Sequence, residues 1–490
     1  MESSTTSSTS DVRWGPRLWG TLVVLCGALF LDALDISMVG VALPSIRTDL
    51  NMTTSALQWV VSGYVLGYGG LLLLGGRAAD LLGRRRVLLT ALAVFAVGSL
   101  LGGLVSSPEL LIAARFIKGV AAAFTAPAAL SIITTTFQEG PARNKALSIF
   151  AVTGASGFSL GLVLSGLLTE VGWRWPLLLP GPVAALVLFA ALRFVPNDGR
   201  PERNGQGYDL GGAITSTAAM LLLVYTIVQA PEQGWASPWT IGSFVVVLAL
   251  LGAFVLIERR SSHPLVRLGI LRSGSLVRAN IGAMVFFGSY VGFQFVVMQY
   301  MQRLLGWSSM ETALAFLPAA VIVASSSTKM AAVVDRFGTA RLIGVGMVAL
   351  VAGYAFFLGL DVTPNLAGVI LPGMILIGIA VALTFTSLNI QATSGVANEE
   401  QGLASGLLNT FMQVGGAVGL AVVTAVVSAN ETTTAKVTPN ELLASYFPGL
   451  AVVAGIAVIG LLVAVSGLAA LRKENKAIAA QQRELELANA

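Results

Sequence analysis

Residues 18–44 read LWGTLVVLCGALFLDALDISMVGVALP, and this stretch decides the class of fold. It is long enough to cross the hydrocarbon of a bilayer, which takes about 20 residues of helix. Two acids, Asp32 and Asp35, lie inside it, almost one helical turn apart. A charge at the bilayer centre costs at least ~2.5 kcal/mol, so acids at this depth indicate an ion or substrate pathway.

The rest of the chain has the composition of a membrane protein. Of its 490 residues, 55% are hydrophobic and only 11% are charged, against about 25% in a soluble domain. Fourteen apolar runs are long enough to span, and they must be helices because hydrocarbon offers the backbone no water. They lie at 18–42, 54–75, 87–106, 108–131, 145–169, 175–194, 210–230, 238–257, 278–300, 311–333, 341–360, 365–389, 403–428 and 446–471.

The positive charges predict the orientation. If the N-terminus is cytoplasmic, most of the 29 Lys and Arg residues fall in inside segments. The external loops then hold only Arg47, Arg174, Arg303 and Lys436. We therefore expect both termini to be cytoplasmic. The net charge of +5 reflects this topology, so we expect no nucleic acid partner.

Two loops indicate an internal repeat. GRAADLLGRRR (76–86) and VVDRFGTARLIGVG (333–346) each place an acid three residues before a glycine that is followed by Arg. They follow the second and tenth spans, an offset of eight, which predicts six helices, two extra helices and six more. The expected division is a disordered N-terminus (1–17), a six-helix bundle (18–194), a linker with two extra helices (195–275), a second bundle (276–471) and a cytoplasmic tail (472–490).

Several other functions lack the residues they need. Cys26 is the only cysteine and His263 the only histidine, so neither a disulfide framework nor a thiolate metal site is available. No GxxxxGK[ST] loop is present for an ATP-driven pump. GASG at 154–157 fits a serine-protease pattern, but His263 is predicted to lie outside the membrane. We expect no enzyme activity and no metal.

The fourth span, LLIAARFIKGVAAAF, carries two cations, Arg115 and Lys118, at the same spacing as the two acids. Counting about 1.5 Å per residue from the predicted external ends, Asp35 and Arg115 lie at one depth, and Asp32 and Lys118 lie one turn deeper. The hypothesis is two stacked pairs, Asp35 with Arg115 and Asp32 with Lys118. A static salt bridge is the alternative, but such pairs stabilise poorly compared with apolar packing, which favours proton coupling by all four residues.

Three motifs of this chain resemble those of one known family. LDISMVGVALP (34–44), GRAADLLGRRR (76–86) and GLASGLLNTFMQVGGAVG (402–419) resemble motifs of the major facilitator superfamily, specifically its fourteen-helix drug:proton antiporter branch. The family's RxxQGxxxA pattern is similar to residues 115–123, with Lys118 at the Gln position. Its helix 5 signature GxxxGPxxGG is similar to GFSLGLVLSG (157–166), which keeps Gly157, Gly161 and Gly166 but has Leu162 for Pro and Ser165 for Gly.

The resemblance implies an all-α polytopic membrane protein with the major facilitator fold, its 14 transmembrane helices arranged as 6+2+6. It implies a proton-coupled exporter of amphipathic drugs or antibiotics, in which Asp35 is the coupling residue. It assigns gating to the two repeat loops, although anchoring by positive charge explains their arginines equally well. The gating residues are Gly76, Asp80, Gly83, Arg84, Arg85, Asp335, Arg336 and Gly338. Because Leu162 replaces the Pro of the antiport signature, symport and uniport stay open.

Substrate contacts are predicted from aromatic and amide side chains in three spans. These residues suit large, partly aromatic molecules, although each could equally be interhelical packing. They are Tyr64, Tyr68, Tyr290, Phe293, Gln294, Asn409 and Gln413. A sensor or scaffold that binds the same ligands without transport is the competing function. We expect a monomer in a bacterial plasma membrane, with a proton gradient and no cofactor.

Overall fold

In the computed structural model, the described residues are 14–138, 141–197, 209–261, 268–326, 329–363, 365–396, 401–431 and 438–489. They form helices, with no strand among them. Residues 1–13 of the segment predicted to be disordered (1–17) lie outside the described residues, and α1 already begins at Pro16. The loop containing His263 and the side chain of Asp80 also lie outside the described residues. Below, the face at which α1 begins is called the N-terminal face, and the face at which it ends is called the distal face.

The first set of helices comes before residue 195. It comprises α1 (Pro16–Asp49), α2 (Thr54–Leu82), α3 (Arg84–Leu104), α4 (Pro108–Thr136), α5 (Pro141–Val171), and α6 (Arg174–Leu178) with α7 (Pro180–Phe194) as one span. Two helices follow, α8 (Leu210–Gln233) and α9 (Pro238–Arg260).

The second set starts after a short 3-10 helix at Leu268–Arg272. It comprises α10 (Gly274–Gln299), α11 (Ser309–Ser326) with α12 (Met330–Phe337), α13 (Thr339–Phe357), α14 (Leu371–Thr393), α15 (Gln401–Ala429) and α16 (Pro439–Asn489). Single π-helical turns extend α10 at Tyr300–Leu304 and precede α14 at Leu366–Ile370.

Both sets pack in the same order. In the first set α1 packs on α5 and α7, α2 on α4, and α3 on α4 and α7. In the second set α10 packs on α15 and α16, α11 on α14, and α13 on α14 and α16. The sets meet where α5 contacts α11 and α2 contacts α15, and α8 leans on both α2 and α15.

Among the described residues, apolar clusters join the two sets at the distal face and beside α8, where Val65 of α2 and Val414 of α15 share a cluster. The largest buried cluster combines the distal end of α1, including Leu43 and Ile46, with Met298 and Met301 at the end of α10. At the N-terminal face each set has a core of its own, one around Leu88 and Ile132 and the other around Val334. The described structure is therefore closed between the sets at the distal face.

The number of spans is confirmed only in part. Within the described residues, thirteen helices are long and apolar enough to cross a membrane. The α2 helix, 29 residues long, occupies the range of the second predicted span but is not among the thirteen. The membrane class is therefore confirmed, while the count of fourteen stays a prediction.

Candidate functional site: a buried charge cluster

Asp35 lies between both cations of α4. Its Oδ2 accepts a hydrogen bond from Arg115 Nη1 and its Oδ1 accepts one from Lys118 Nζ. All three side chains are at most 2% exposed. Arg115 Nε also donates to the carbonyl oxygen of Val60, 3.0 Å away on α2. The predicted Asp35–Arg115 pair is confirmed, and it ties three helices together.

Aromatic rings complete the surroundings of the two cations. The guanidinium carbon of Arg115 lies 4.7 Å from the centre of the Tyr64 ring, and Lys118 Nζ lies 4.9 Å from the centre of the Phe95 ring. Tyr64 in turn meets Tyr68 edge to face, with ring centres 5.9 Å apart. Ring faces attract cations, and the attraction grows where water is absent. These rings therefore help to hold two positive charges inside the bundle.

The predicted Asp32–Lys118 pair is wrong. Lys118 turns to Asp35, while Asp32 is 3% exposed and its Oδ2 has no hydrogen-bond partner. Two features of the side chains explain the difference. A carboxylate has two acceptor oxygens, enough for both cations, and the four-carbon stem of lysine reaches a carboxylate one turn from its own depth. Matching the depths of backbone positions therefore could not decide the partner.

Glycines let α5 approach α1 beside the acids. A Cβ at Gly157 would lie 2.7 Å from the carbonyl oxygen of Phe30, and one at Gly161 would lie 2.8 Å from that of Leu34. Real Cβ atoms are not found this close, so only glycine permits the contact. The helix 5 motif therefore places backbone against backbone next to the charge cluster.

The positions at which the helix 5 motif departs from the family pattern have defined contacts. Leu162, in place of Pro, is 3% exposed and joins the main apolar cluster. Ser165, in place of Gly, donates its hydroxyl hydrogen to the carbonyl oxygen of Met38 on α1. A Cβ at Gly166 would come within 2.6 Å of the Cβ of Ala313 on α11. The motif thus ends at the contact between the two helix sets.

A second charged cluster bridges the sets at the distal face. Glu431, which follows α15, accepts hydrogen bonds from Arg303 Nη1 at 2.9 Å and from the Thr54 hydroxyl at 2.9 Å. Arg47 Nη2 lies 3.4 Å from the same carboxylate. Burial acts to raise the pKa of Glu431, but the hydrogen bonds from Arg303 and Thr54 and the charges of both arginines outweigh it and hold that pKa below its usual value.

Two further hydrogen bonds cross between the sets at this face. Gln302 Nε2 donates to the carbonyl oxygen of Val41 at 3.0 Å, and the backbone N–H of Met310 donates to Glu170 at 3.0 Å. A cavity of about 890 Å³ opens beside them, lined by residues of both sets including Arg47, Glu170 and Trp307.

Residues 25–420 match the family model described as Major Facilitator Superfamily. The chain belongs to this superfamily. The family expected from the motifs is therefore confirmed.

Similar sequences carry names related to antibiotic resistance or export. The chain is 38% identical over 419 residues to the puromycin resistance protein pur8 of Streptomyces alboniger, covering 84% of this chain and 82% of the relative. It is 38% identical over 438 residues to the cephamycin export protein CmcT of Amycolatopsis lactamdurans, covering 88% and 89%. The lincomycin resistance protein of Streptomyces lincolnensis is 36% identical over 406 residues, covering 82% and 83%.

Solved structures share the fold at low identity. The POT family transporter PepTSo superimposes with a TM-score of 0.66 at 16% identity, covering 93% of this chain and 98% of that one. A bacterial homologue of the human lysosomal transporter Spinster, in an inward-facing and occupied conformation, gives 0.66 at 17% identity, covering 94% and 98%. The major facilitator fold expected from the motifs is confirmed.

The two repeat loops of this facilitator have the same backbone turn. Gly83 ends α2 with φ +95°, and Gly338 ends α12 with φ +78°. Residues that carry a side chain rarely adopt positive φ angles of this size, so both turns need glycine. One such turn lies at the N-terminal face of each set.

The arginines and the acid in these loops make local contacts. Arg85 Nη2 donates to the carbonyl oxygen of Leu192 at 2.7 Å, which holds the start of α3 against α7. Arg336 lies over the ring of Phe337, and Asp335 is exposed. Arg84 is half-buried at the start of α3, and Gly76 faces Pro127 of α4 at an ordinary packing distance.

The predicted substrate residues do not form one group. Tyr64 and Tyr68 belong to the charge cluster, and Phe293 is fully buried between the rings of Tyr354 and Phe357. Asn409 Nδ2 donates to the carbonyl oxygen of Ser405 within its own helix.

Three of the predicted substrate residues lie at or near the meeting of the two sets. Gln413 packs against Gly69 of α2 and leaves its Nε2 without a hydrogen-bond partner. Tyr290 lies 6.2 Å from the Phe158 ring of α5, measured between ring centres. Gln294, one turn further along α10, also has an unpartnered Nε2. These three are the best placed to meet a ligand between the sets.

Glu431 was missed by the sequence reasoning. A signal was present, because Arg47 and Arg303 are two of the few basic residues predicted outside, against the positive-inside rule. External arginines of this kind indicate a nearby carboxylate that balances their charge. Glu431 was one of several external acids, and only the fold shows which of them faces both arginines.

Proposed function

We propose that this facilitator is a proton-coupled exporter of amphipathic small molecules, antibiotics among them, which works by alternating access. The names of its relatives, which refer to puromycin, cephamycin and lincomycin, supply the substrate class. The proton gradient supplies the energy, without a cofactor.

The buried charge cluster is the observation that carries the proposal. Two acids and two bases lie in the membrane interior, where apolar side chains would stabilise the bundle at least as well. Ionisable groups in such places are typical of proton relays. A membrane potential of 100 mV supplies about 2.3 kcal/mol for each charge that crosses, enough to help concentrate a substrate.

The proposed division is 6+2+6, with bundles at 18–194 and 276–471 and the extra helices within 195–275. The matching packing order of the two sets supports it, as does the position of α8, which contacts both sets and carries α9 on its other side. Transport would proceed by rocking one bundle against the other around a site between them. Since both bundles belong to one chain, we expect a monomer to be sufficient.

The proposed orientation places both termini in the cytoplasm and the distal face outside. The shared core and the cross-links at the distal face then make this structure closed outward, with the bundles separate at the cytoplasmic side. Release of substrate would require the Glu431 cluster to open. The loops at Gly83 and Gly338 would form the opposing gate, with Asp80, Arg84, Arg85, Asp335 and Arg336 in its contacts.

Everted membrane vesicles with an acidic interior test the proposal. Puromycin, lincomycin and a cephamycin are added in turn, and the interior pH and the accumulated compound are followed together. Antiport predicts uptake accompanied by proton exit, with both lost in Asp35→Asn and both retained in Glu486→Gln, which changes an exposed carboxylate far from both gates.

Other outcomes point to other functions. Uptake that is unaffected by collapse of the proton gradient would favour a uniporter, and proton entry with substrate a symporter. Ligand binding without uptake, unchanged by Asp35→Asn, would favour a sensor or scaffold.

A further inference from the structure

The two acids of α1 have opposite surroundings although they lie one turn apart. Both oxygens of Asp35 receive a hydrogen bond from a cation. Asp32 is also buried, at 3% exposure, yet its Oδ2 has no hydrogen-bond partner. Buried polar atoms are nearly always satisfied, so an unpaired carboxylate oxygen calls for an explanation.

The groups that face Asp32 come from three helices. Asp35 lies on its own helix, Lys118 lies on α4, and the hydroxyl-bearing rings of Tyr64 and Tyr68 lie on α2. Arg115 is engaged with Asp35 and Val60. The neighbouring helices add no charge, because the sequence has no Asp, Glu, Lys or Arg at 87–104, 146–169 or 180–192.

A proton on either acid gives the cluster the same net charge, so the contacts decide where it binds. Protonation of Asp35 would break two ion pairs and leave Arg115 and Lys118 buried without a carboxylate, which is strongly unfavourable. Protonation of Asp32 Oδ2 breaks no hydrogen bond and removes negative charge from a buried oxygen that has no partner.

We propose that Asp32, and not Asp35, is the carboxylate that takes up and releases the transported proton. This assignment rests on the proton-coupled export proposed above. Asp35 is then a positioning residue, which fixes Arg115 and Lys118 so that their charge stays close to Asp32. In each cycle the Asp32 carboxylate binds one proton as it faces one side of the membrane and returns that proton to the other side.

The surroundings of Asp32 reach the contact between the bundles. Tyr68 lies next to Gly69, and Gly69 packs directly on Gln413 of α15. Rocking of α15 against α2 therefore shifts the helix that carries both tyrosines. This provides a short path by which bundle movement changes the access of a proton to Asp32.

Infrared difference spectroscopy of the full chain in lipid tests the assignment. The C=O stretching band of a protonated carboxylic acid lies at a higher frequency in a dry site than in water. The band of Asp32 is therefore distinct from the bands of surface carboxylic acids. Spectra in mildly alkaline and mildly acidic buffer are expected to show such a band. Asp32→Asn should remove the band, and Glu486→Gln, which changes an exposed carboxylate, should leave it unchanged.

Two results overturn the assignment: a band that persists in Asp32→Asn, or no such band in the unaltered protein. Asparagine fills the same space, so the variant is expected to fold. If it does not, Asp32→Glu is used in its place, and a band at unchanged frequency overturns the assignment.

The infrared band tests the assignment of Asp32, and the vesicle assay tests proton-coupled export, so either proposal can be contradicted without the other. Transport without proton movement, together with a band that Asp32→Asn removes, would end the proposed coupling but keep Asp32 as a proton-binding group. Antiport that survives in Asp32→Asn, with the band intact, would end the assignment but keep the exporter.

Discussion

At the scale of single residues, the decisive feature is how the carboxylate oxygens are shared. Asp35 satisfies Arg115 and Lys118 at once, and Arg115 is further fixed by Val60. Removing one partner of a buried ion pair leaves an uncompensated charge, which costs more than the intact pair contributes. The carboxylate and the lysine should therefore differ in their effects on stability.

Asp35→Asn is expected to destabilise the protein by about 3 kcal/mol, because it leaves two buried cations without a counter-charge. Lys118→Gln should cost less, since the Asp35–Arg115 pair remains. Thermal unfolding of the purified protein in detergent measures the order. Equal losses for the two variants would contradict the shared-carboxylate arrangement, and Asp335→Asn should change little.

At the scale of elements, the close approach of α1 and α5 depends on Gly157 and Gly161. A side chain at either position would meet backbone oxygen atoms of α1. Backbone cannot move aside as a flexible side chain can, so the helices would have to separate. This separation would disturb the helix that carries both acids.

Gly161→Ala is expected to destabilise the protein by roughly 1–3 kcal/mol, the usual range for overpacking, and to lower transport in vesicles. Gly242→Ala in α9 is the matched control, because a Cβ there has nothing within 4 Å. The control should be neutral or stabilising by up to ~1 kcal/mol, since alanine favours helix. Equal effects of the two variants would mean that α1 and α5 leave room for a side chain at Gly161, contrary to the close contact with Leu34.

At the scale of the whole molecule, the Glu431 cluster holds the two bundles together at the distal face. Glu431 is 22% exposed and Arg303 is 30% exposed, so water screens their attraction. Pairs of this kind contribute about 1 kcal/mol or less. That is a small fraction of the stability of a fold, but it is enough to shift an equilibrium between two conformations.

Glu431→Gln is expected to raise the population of the distal-open state by up to about fivefold, which corresponds to ~1 kcal/mol. Spin labels at Ser106 and Thr363, with buried Cys26 replaced by Ala, report the distance between the bundles. Glu441→Gln removes a charge from the same face without touching the first bundle, and should leave the distances unchanged. If both variants give the same distances as the unaltered protein, Glu431 does not stabilise the closed distal face.

Acid at the distal face should act like Glu431→Gln. In the closed state the pKa of Glu431 lies below its usual value, and opening removes the donors and returns the pKa toward that value of about 4.5. The contribution of Glu431 to closure is therefore complete above this pH and is lost as the pH falls through the lowered pKa. The same spin labels should report opening in acid in the unaltered protein but no further opening in Glu431→Gln.

Much of the fold and part of the site could be predicted from local pattern. The apolar runs placed the helices, because hydrocarbon leaves the backbone no alternative. The matching spacing of acids and bases placed Asp35 against Arg115. The pairing of Lys118 with Asp35 and the Glu431 cluster were beyond such reasoning, since each depends on which side chain reaches which oxygen across neighbouring helices.

The two acids of residues 18–44 show what the sequence determines and what only the tertiary structure determines. The order of residues alone committed this chain to the membrane and put two carboxylates inside it, because the cost of burying charge and backbone depends on residue type and length. The packing of α1, α2 and α4 determined that one acid is fully paired and the other is not. Two carboxylates one turn apart are chemically identical until neighbouring helices supply donors to one of them.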